Sequence, residues 1–167
     1  QIGSRNMQNV PLLRALGRED DDLVERLRVV HMGRLRGQVC ELAHHLGLLA
    51  ALRARLPLGV CSNFTDARTA LSILDAAELA PHLDAVASSE SVGWRKPRAE
   101  IFEALLGALD VAPGELLHVG DNLDADVAGA AALGVRTVWL TRRVADPAAA
   151  RARYAGPPPD YELADLA

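Results

Sequence analysis

From residue 57 onward the chain alternates short apolar runs with segments of helical period, and that alternation restricts its fold more than any other feature. Leu58-Gly59-Val60-Cys61, Leu83 to Ser89, Leu116 to Gly120 and Val135 to Leu140 are four to seven residues long. They are too short for helices and are bounded by turn formers, as buried strands are. Between them lie three helical segments. The first is capped by Thr65 or Asp66 and carries Ala67, Ala70, Leu71 and Leu74 on its buried face. The second runs from about Arg98 to Leu109 with Ile101, Phe102, Leu105 and Leu109 inward, and the third spans 123–133 and ends at Gly134. Strand and helix in this order predict a parallel sheet with helices on both faces, a three-layer, Rossmann-like α/β fold.

The first third is helical in pattern. Residues 9–17 and 20–36 read as helices, the second introduced by Asp20, Asp21 and Asp22 and carrying Val24, Leu27, Val30 or His31, and Leu35 at helical spacing. After Gly37 a third helix runs from Gln38 to Arg55, with a stripe of Leu42, Leu46, Leu49, Leu52 and Leu56 and a possible break at Gly47. The chain therefore divides into a helical unit, residues 1–48, and an α/β unit, residues 49–167. Within the latter, residues 145–159 are rich in Ala, Arg and Pro and read as a surface excursion, and Asp160 to Ala167 as a short closing element.

Composition excludes several partners. With 18 basic and 22 acidic residues the chain has no electrostatic footprint for nucleic acid or an anionic membrane. No apolar run approaches the roughly 20 residues of a membrane span, and the first residues lack the pattern of a signal peptide, so a soluble, cytoplasmic protein is expected. Cys40 in a helix and Cys61 in a strand read as core thiols, since neither has the close spacing of a metal or redox motif. His44 and His45 diverge by about 100° on a helix and suit solvated or capping roles rather than one shared ion. Asn63-Phe64-Thr65 matches a glycosylation sequon by chance in a chain without a secretion signal. The first residue is Gln1 rather than Met, and the sequence reads as a piece of a longer chain.

Polar groups follow three of the strands: Ser62-Asn63, Lys96, and the pair Asp121 and Asp126. In a parallel sheet the strands end on one edge, so these groups converge on one crevice, where ligands bind. Taken singly, each has a structural role open to it: Ser62 as a turn former, Lys96 as a solvated loop cation, Asp121 or Asn122 as the cap of the next helix. Together they supply a hydroxyl with backbone N–H groups, an ammonium, and two carboxylates fit for a hard divalent cation. Those are the requirements of phosphoryl chemistry, which is catalysed mainly by positioning and charge neutralisation.

In these three motifs the chain resembles the haloacid dehalogenase superfamily. Leu58-Gly59-Val60-Cys61-Ser62-Asn63 is similar to its second motif, and Val92-Gly93-Trp94-Arg95-Lys96-Pro97 with Ile101-Phe102 downstream to its third. Gly120-Asp121-Asn122-Leu123-Asp124-Ala125-Asp126 is similar to its fourth. The resemblance covers about residues 48–166. It implies that Ser62 and the backbone near Asn63 hold phosphoryl oxygens and that Lys96 offsets charge on nucleophile and substrate. It also implies that Asp121 ligates Mg²⁺ with Asp126 in support, Asp124 being the competing carboxylate. Residues 1 to about 48 are similar to part of a helical cap that selects the substrate.

The superfamily's first motif, a strand ending in Asp-x-Asp that carries the nucleophile, has no counterpart here. Asp20-Asp21-Asp22 follows Leu16-Gly17-Arg18-Glu19, which is no buried strand. In the family that strand lies between the strands leading to Ser62 and to Asp121, so its omission leaves two unpaired edges. The resemblance thus implies a Mg²⁺-dependent, phosphoglycolate phosphatase-like hydrolase of a small phosphorylated metabolite, inactive as these 167 residues alone. Two alternatives are a non-catalytic relative that keeps the crevice for binding and a metal-independent 2-haloacid dehalogenase. The sequence is silent on oligomeric state.

Overall fold

The computed structural model describes residues 17, 21–36 and 43–166. Of the expected helix at 9–17 only Gly17 is described, and it lies in a turn; Cys40 falls outside the described residues. Helix α1 spans Asp21–Arg36 and α2 spans Ala43–Arg53. The α/β unit then runs β1 (Gly59–Ser62), α3 (Ala67–Ala76), β2 (Ala85–Ser88), a short α4 (Ser89–Val92), α5 (Ala99–Leu109) and β3 (Leu117–Gly120). It continues with a π-helical turn (Leu123–Ala128) leading into α6 (Gly129–Ala131), then β4 (Arg136–Leu140), α7 (Pro147–Arg153) and β5 (Tyr161–Leu163).

All strand pairs are parallel, as the alternation predicts, but the described strands form two sheets. In one, β1 pairs with β2, with Cys61 opposite Ala87; in the other, β3 pairs with β4 and β4 with β5, with Gly120 opposite Trp139. Among the described strands, each of β1 and β3 is therefore paired along one edge only. The sheets are joined through α5, which packs on both β1 and β2 and also meets α6. Its apolar stripe supplies Ile101, Phe102, Leu105 and Leu109 to a core completed by Ala87, Ala130 and Val135. A second, smaller cluster of Leu123, Val127 and Trp139 lies over β4.

Carboxylates close the ladders where backbone groups would otherwise be unpaired. Asp84 accepts from the Leu58 N–H at 2.9 Å and forms an ion pair with Arg53 at 2.5 Å, tying the end of α2 to the entrance of β1. Asp160 accepts from the Thr137 N–H at 2.7 Å and its hydroxyl at 3.1 Å, fixing the start of β5 on β4. Asp66 caps α3 by accepting from the Thr69 N–H at 2.8 Å and pairs with Arg28 of α1.

The structure differs from the sequence expectations at several points. Helix α1 does not bury the stripe its periodicity marks: Leu27 and Val30 are exposed, while Met32 is buried. Arg28 and Met32 are four residues apart on one face, and the Arg28–Asp66 pair turns that face toward α3. Leu71 of α3 is likewise exposed, and the buried residue of that helix is Thr69, held under the Asp66 cap. The helix expected from 123 to 133 begins as a π turn, and the excursion at 145–159 contains α7, capped by Asp146 through the Ala149 N–H at 2.9 Å. Gly47 does not divide α2.

Two glycines separate packing from propensity. A β-carbon on Gly129 would lie 2.8 Å from Phe102 Cε2 and 2.9 Å from Pro97 Cα, whereas one on Gly107 in α5 would meet nothing within 4 Å. Gly129→Ala should lose about 1–2 kcal/mol in a urea melt because backbone at Pro97 cannot move aside. Gly107→Ala should gain up to about 1 kcal/mol from helix propensity alone.

Candidate active site

The site is built where β1 and β3 end. Asn63, just past β1, uses its amide twice on the backbone of one residue: Oδ1 accepts from the Lys96 N–H at 2.7 Å and Nδ2 donates to the Lys96 carbonyl at 3.0 Å. This clamp fixes the Lys96 backbone, which precedes a cis peptide to Pro97. It also occupies the Asn63 side chain, leaving the backbone at 63 for any further ligand.

From that anchored position Lys96 reaches inward. Its Nζ donates to the Cys61 carbonyl at 2.6 Å and lies 2.7 Å from Asp126 Oδ1. The ammonium thus links the end of β1 to the turn after β3. Asp126 is buried and Lys96 largely so, with side-chain exposures of 5% and 12%, and the pair stands where leaving either charge alone would be costly.

Asp126 is fully engaged. His118 Nε2 lies 3.1 Å from Oδ1, and Oδ2 accepts from the Asn122 N–H at 3.0 Å. Burial by itself would raise this carboxyl. The bonds to His118 and Lys96, the Lys96 charge and the Asn122 N–H outweigh it and hold the group at about 2. Gly120 makes room: a β-carbon there would collide with the Asp126 carboxylate. Burial also pushes the Cys61 thiol up to about 11, against the pull of Lys96, consistent with an inert core thiol.

Asp121 contrasts with Asp126. The helix cap is Asn122, whose Oδ1 accepts from the Ala125 N–H at 2.8 Å, so Asp121 is released from that duty. Its carbonyl accepts from the Trp139 indole at 3.0 Å, which pins the backbone, and its carboxylate is exposed. Among the described residues no three of His, Cys, Asp or Glu gather into a metal cage. A hard divalent cation such as Mg²⁺ is commonly held by one or two carboxylates, with water and substrate phosphate completing the shell. Asp121 fits such an open site, whereas Asp126 has no free oxygen and suits the supporting role.

Lys96, Asp121 and Asp126 line one cavity of about 540 Å³, within the roughly 300–1,000 Å³ of small-molecule pockets. Ser62 and Asn63 are not on its wall, and Asn63 is connected to it through the Lys96 backbone. Sequence reasoning missed His118. It is buried, its ring meets Phe102 edge-on at 5.2 Å, and it braces Asp126. The available signal was strand alternation, which puts residues 118 and 120 on one face beneath the Gly120 turn. His45, expected to be solvated or capping, lies 3.4 Å from Asp165 at the rim of the same cavity.

Asp126 is held below its ordinary 3.8, so its contribution is complete above about pH 4 and is lost as pH falls toward 2. That contribution is roughly 2 kcal/mol. Asp126→Asn should cost at least this much at neutral pH, with the gap to wild type narrowing across the acid range in denaturant melts.

The profile of haloacid dehalogenase-like hydrolases matches residues 4–134. Over 92 residues the chain is 42% identical to the phosphoserine phosphatase of Thermus thermophilus, covering 54% of this chain and 34% of that enzyme. It is 41% identical over 68 residues to the ribulose-1,5-bisphosphate 5-phosphatase of Halopiger xanaduensis, covering 41% of this chain and 28% of that one. The matched stretches thus span about a third of the length of these curated relatives, which are phosphatases. Among solved structures, the HAD-hydrolase YfnB of Bacillus subtilis superposes with a TM-score of 0.72 at 22% identity, covering 97% of this chain and 67% of that chain, a likeness of fold. With more than half its length matched by the profile, and with the Ser62, Lys96 and Asp121 motifs following one another in that order, the chain belongs to the haloacid dehalogenase-like hydrolases.

Proposed function

We propose that the protein containing this chain is a Mg²⁺-dependent phosphatase of a small phosphorylated metabolite. The observation that carries this reading is the Lys96 ammonium, fixed between the Cys61 carbonyl and Asp126 and lining one cavity with the exposed Asp121 carboxylate. A phosphomonoester brings two negative charges, and a fixed cation beside a cation-ready carboxylate complements them. The phosphatase names of the relatives support the same reaction class. Bound Mg²⁺ would polarise the phosphoryl group and neutralise developing charge.

The chain's own residues position and neutralise. Lys96 stabilises the oxygens that gain charge, Ser62 and the backbone at Asn63 border the phosphoryl site, and Asp126 holds Lys96 in place. The nucleophile, on this reading, is an Asp on a further strand lying between the single-paired edges of β1 and β3. Its carboxylate would displace the alcohol to give an aspartyl phosphate, the alcohol leaving with a proton from a general acid, and water would then release phosphate. Helix α1, tied to α3 through Arg28 and Asp66, belongs to the cap that covers the crevice.

Full-length protein should release phosphate from small phosphomonoesters in the presence of Mg²⁺ and stop on addition of EDTA. Asp121→Ala should be as inactive as the chelated enzyme, and Lys96→Ala should lose about a hundredfold in kcat. Turnover that persists without divalent metal overturns the reading. The 167-residue chain alone, with two strand edges unpaired, should melt below the full-length protein and release no phosphate. A monomeric, cooperative melt equal to that of the longer protein counts against the edge assignment.

A further inference from the structure

The cavity contains more charge than removal of one phosphoryl group uses. Its wall includes Lys96, Asp121, Asp126, Arg142, Arg143 and Asp165. Four of these neutralise each other in pairs: Lys96 with Asp126, and Arg142 Nη1 with Asp165 Oδ2, both at 2.7 Å. Asp121 and Arg143 remain, with no ion-pair partner among the described residues. On the proposed function Asp121 would hold a cation. Arg143 is not used by the proposed reaction.

Arg143 is exposed, but the backbone that carries it is held in place. Strands β3 and β4 run in register, and Asp121 and Arg143 both follow their carboxyl ends. Arg142 and Arg143 occupy the centre of a tight turn closed by the Val144 N–H donating to the Thr141 carbonyl at 2.9 Å. The turn is itself tied to β5, since the Thr141 N–H and hydroxyl both donate to the Leu163 carbonyl, at 2.9 Å and 3.2 Å. Arg142 adds a third tether through Asp165. A guanidinium on an anchored turn, lining a concave wall and with no ion-pair partner among the described residues, suits a planar or tetrahedral oxyanion, which it can grip with two parallel N–H bonds. Concavity concentrates its field on whatever occupies the cavity.

We propose that Arg143 binds a second anionic group of the substrate, so that the substrate class is a small phosphomonoester bearing a carboxylate or a second phosphate away from the reacting phosphoryl group. The proposal rests on Lys96 and Asp121 being the phosphoryl site. Arg142, already matched to Asp165, is a positioning residue for the turn.

Calorimetric titration of the full-length protein in excess Mg²⁺ tests it, the probes being the phosphonate analogues of glycerol 3-phosphate, 3-phosphoglycerate and glycerol 1,3-bisphosphate, whose P–C bonds are not hydrolysed. The wild type should bind one or both doubly anionic probes at least about tenfold tighter than the glycerol 3-phosphate analogue, the order expected for a charge-assisted bidentate contact. Arg143→Ala should bring that ratio close to one, and Arg143→Lys should restore part of it, with thermal melts of both variants reporting that the fold is kept. Preference for the 3-phosphoglycerate analogue names a carboxylate as the second anion, and preference for the bisphosphate analogue names a phosphate. Equal binding of the three probes by the wild type, or a ratio unchanged in Arg143→Ala, overturns the proposal while leaving the phosphoryl site standing. Failure of every probe and of inorganic phosphate to bind overturns the phosphoryl site itself, and the role of Arg143 with it.

Discussion

The buried contact of Lys96 with Asp126 and the Cys61 carbonyl is the interaction on which the arrangement of the site depends. Among the described residues the two sheets share no backbone ladder, and they are joined by α5 beneath them and by this ammonium at their ends. A buried ion pair is a poor source of net stability, because desolvation offsets most of the attraction. What it provides is definition: an ammonium that must find a carboxylate and a carbonyl at once has few places to go. The Asn63 clamp on the Lys96 backbone and the Asn122 N–H on Asp126 narrow those places further.

The same economy of partners explains why two aspartates five residues apart behave so differently. Asn122 takes the cap, Asp126 takes the Lys96 and His118 contacts, and Trp139 holds the Asp121 backbone. Asp121 is then an open carboxylate on a fixed main chain. A site that binds a cation with partial coordination needs such a group, rigid in its backbone and unspent in its side chain. Gly120 is necessary because the Asp126 carboxylate folds back over it, and that requirement is about space rather than about φ.

Much of this was legible in the sequence. Strands β1 to β4 are apolar runs between turn formers, and α5 follows the stripe of Ile101, Phe102, Leu105 and Leu109. Convergence of Lys96 with Asp121 and Asp126 follows from parallel strands ending on one edge. Strand β5 was visible only as a closing element, because Tyr161, Glu162 and Leu163 are exposed and leave no burial pattern. The buried face of α1 was misassigned because a single long-range contact, Arg28 with Asp66, decides its rotation, and no local period encodes that. His118 was hidden within an apolar run that makes its strand easy to find and its imidazole easy to overlook.

Completion of the sheet and completion of the site are, on the proposed reading, one event. The edges of β1 and β3 that lack partners among the described strands end beside Lys96 and Asp121, respectively. A strand inserted there would satisfy both rows of backbone groups and, at its carboxyl end, deliver a side chain into the cavity between ammonium and open carboxylate. Backbone hydrogen bonding would then set the position of the nucleophile relative to Lys96 to within the tolerance of a parallel ladder, tighter than a loop could achieve. Catalytic geometry would follow from strand register, so a chain that closed its sheet out of register would also lose its chemistry.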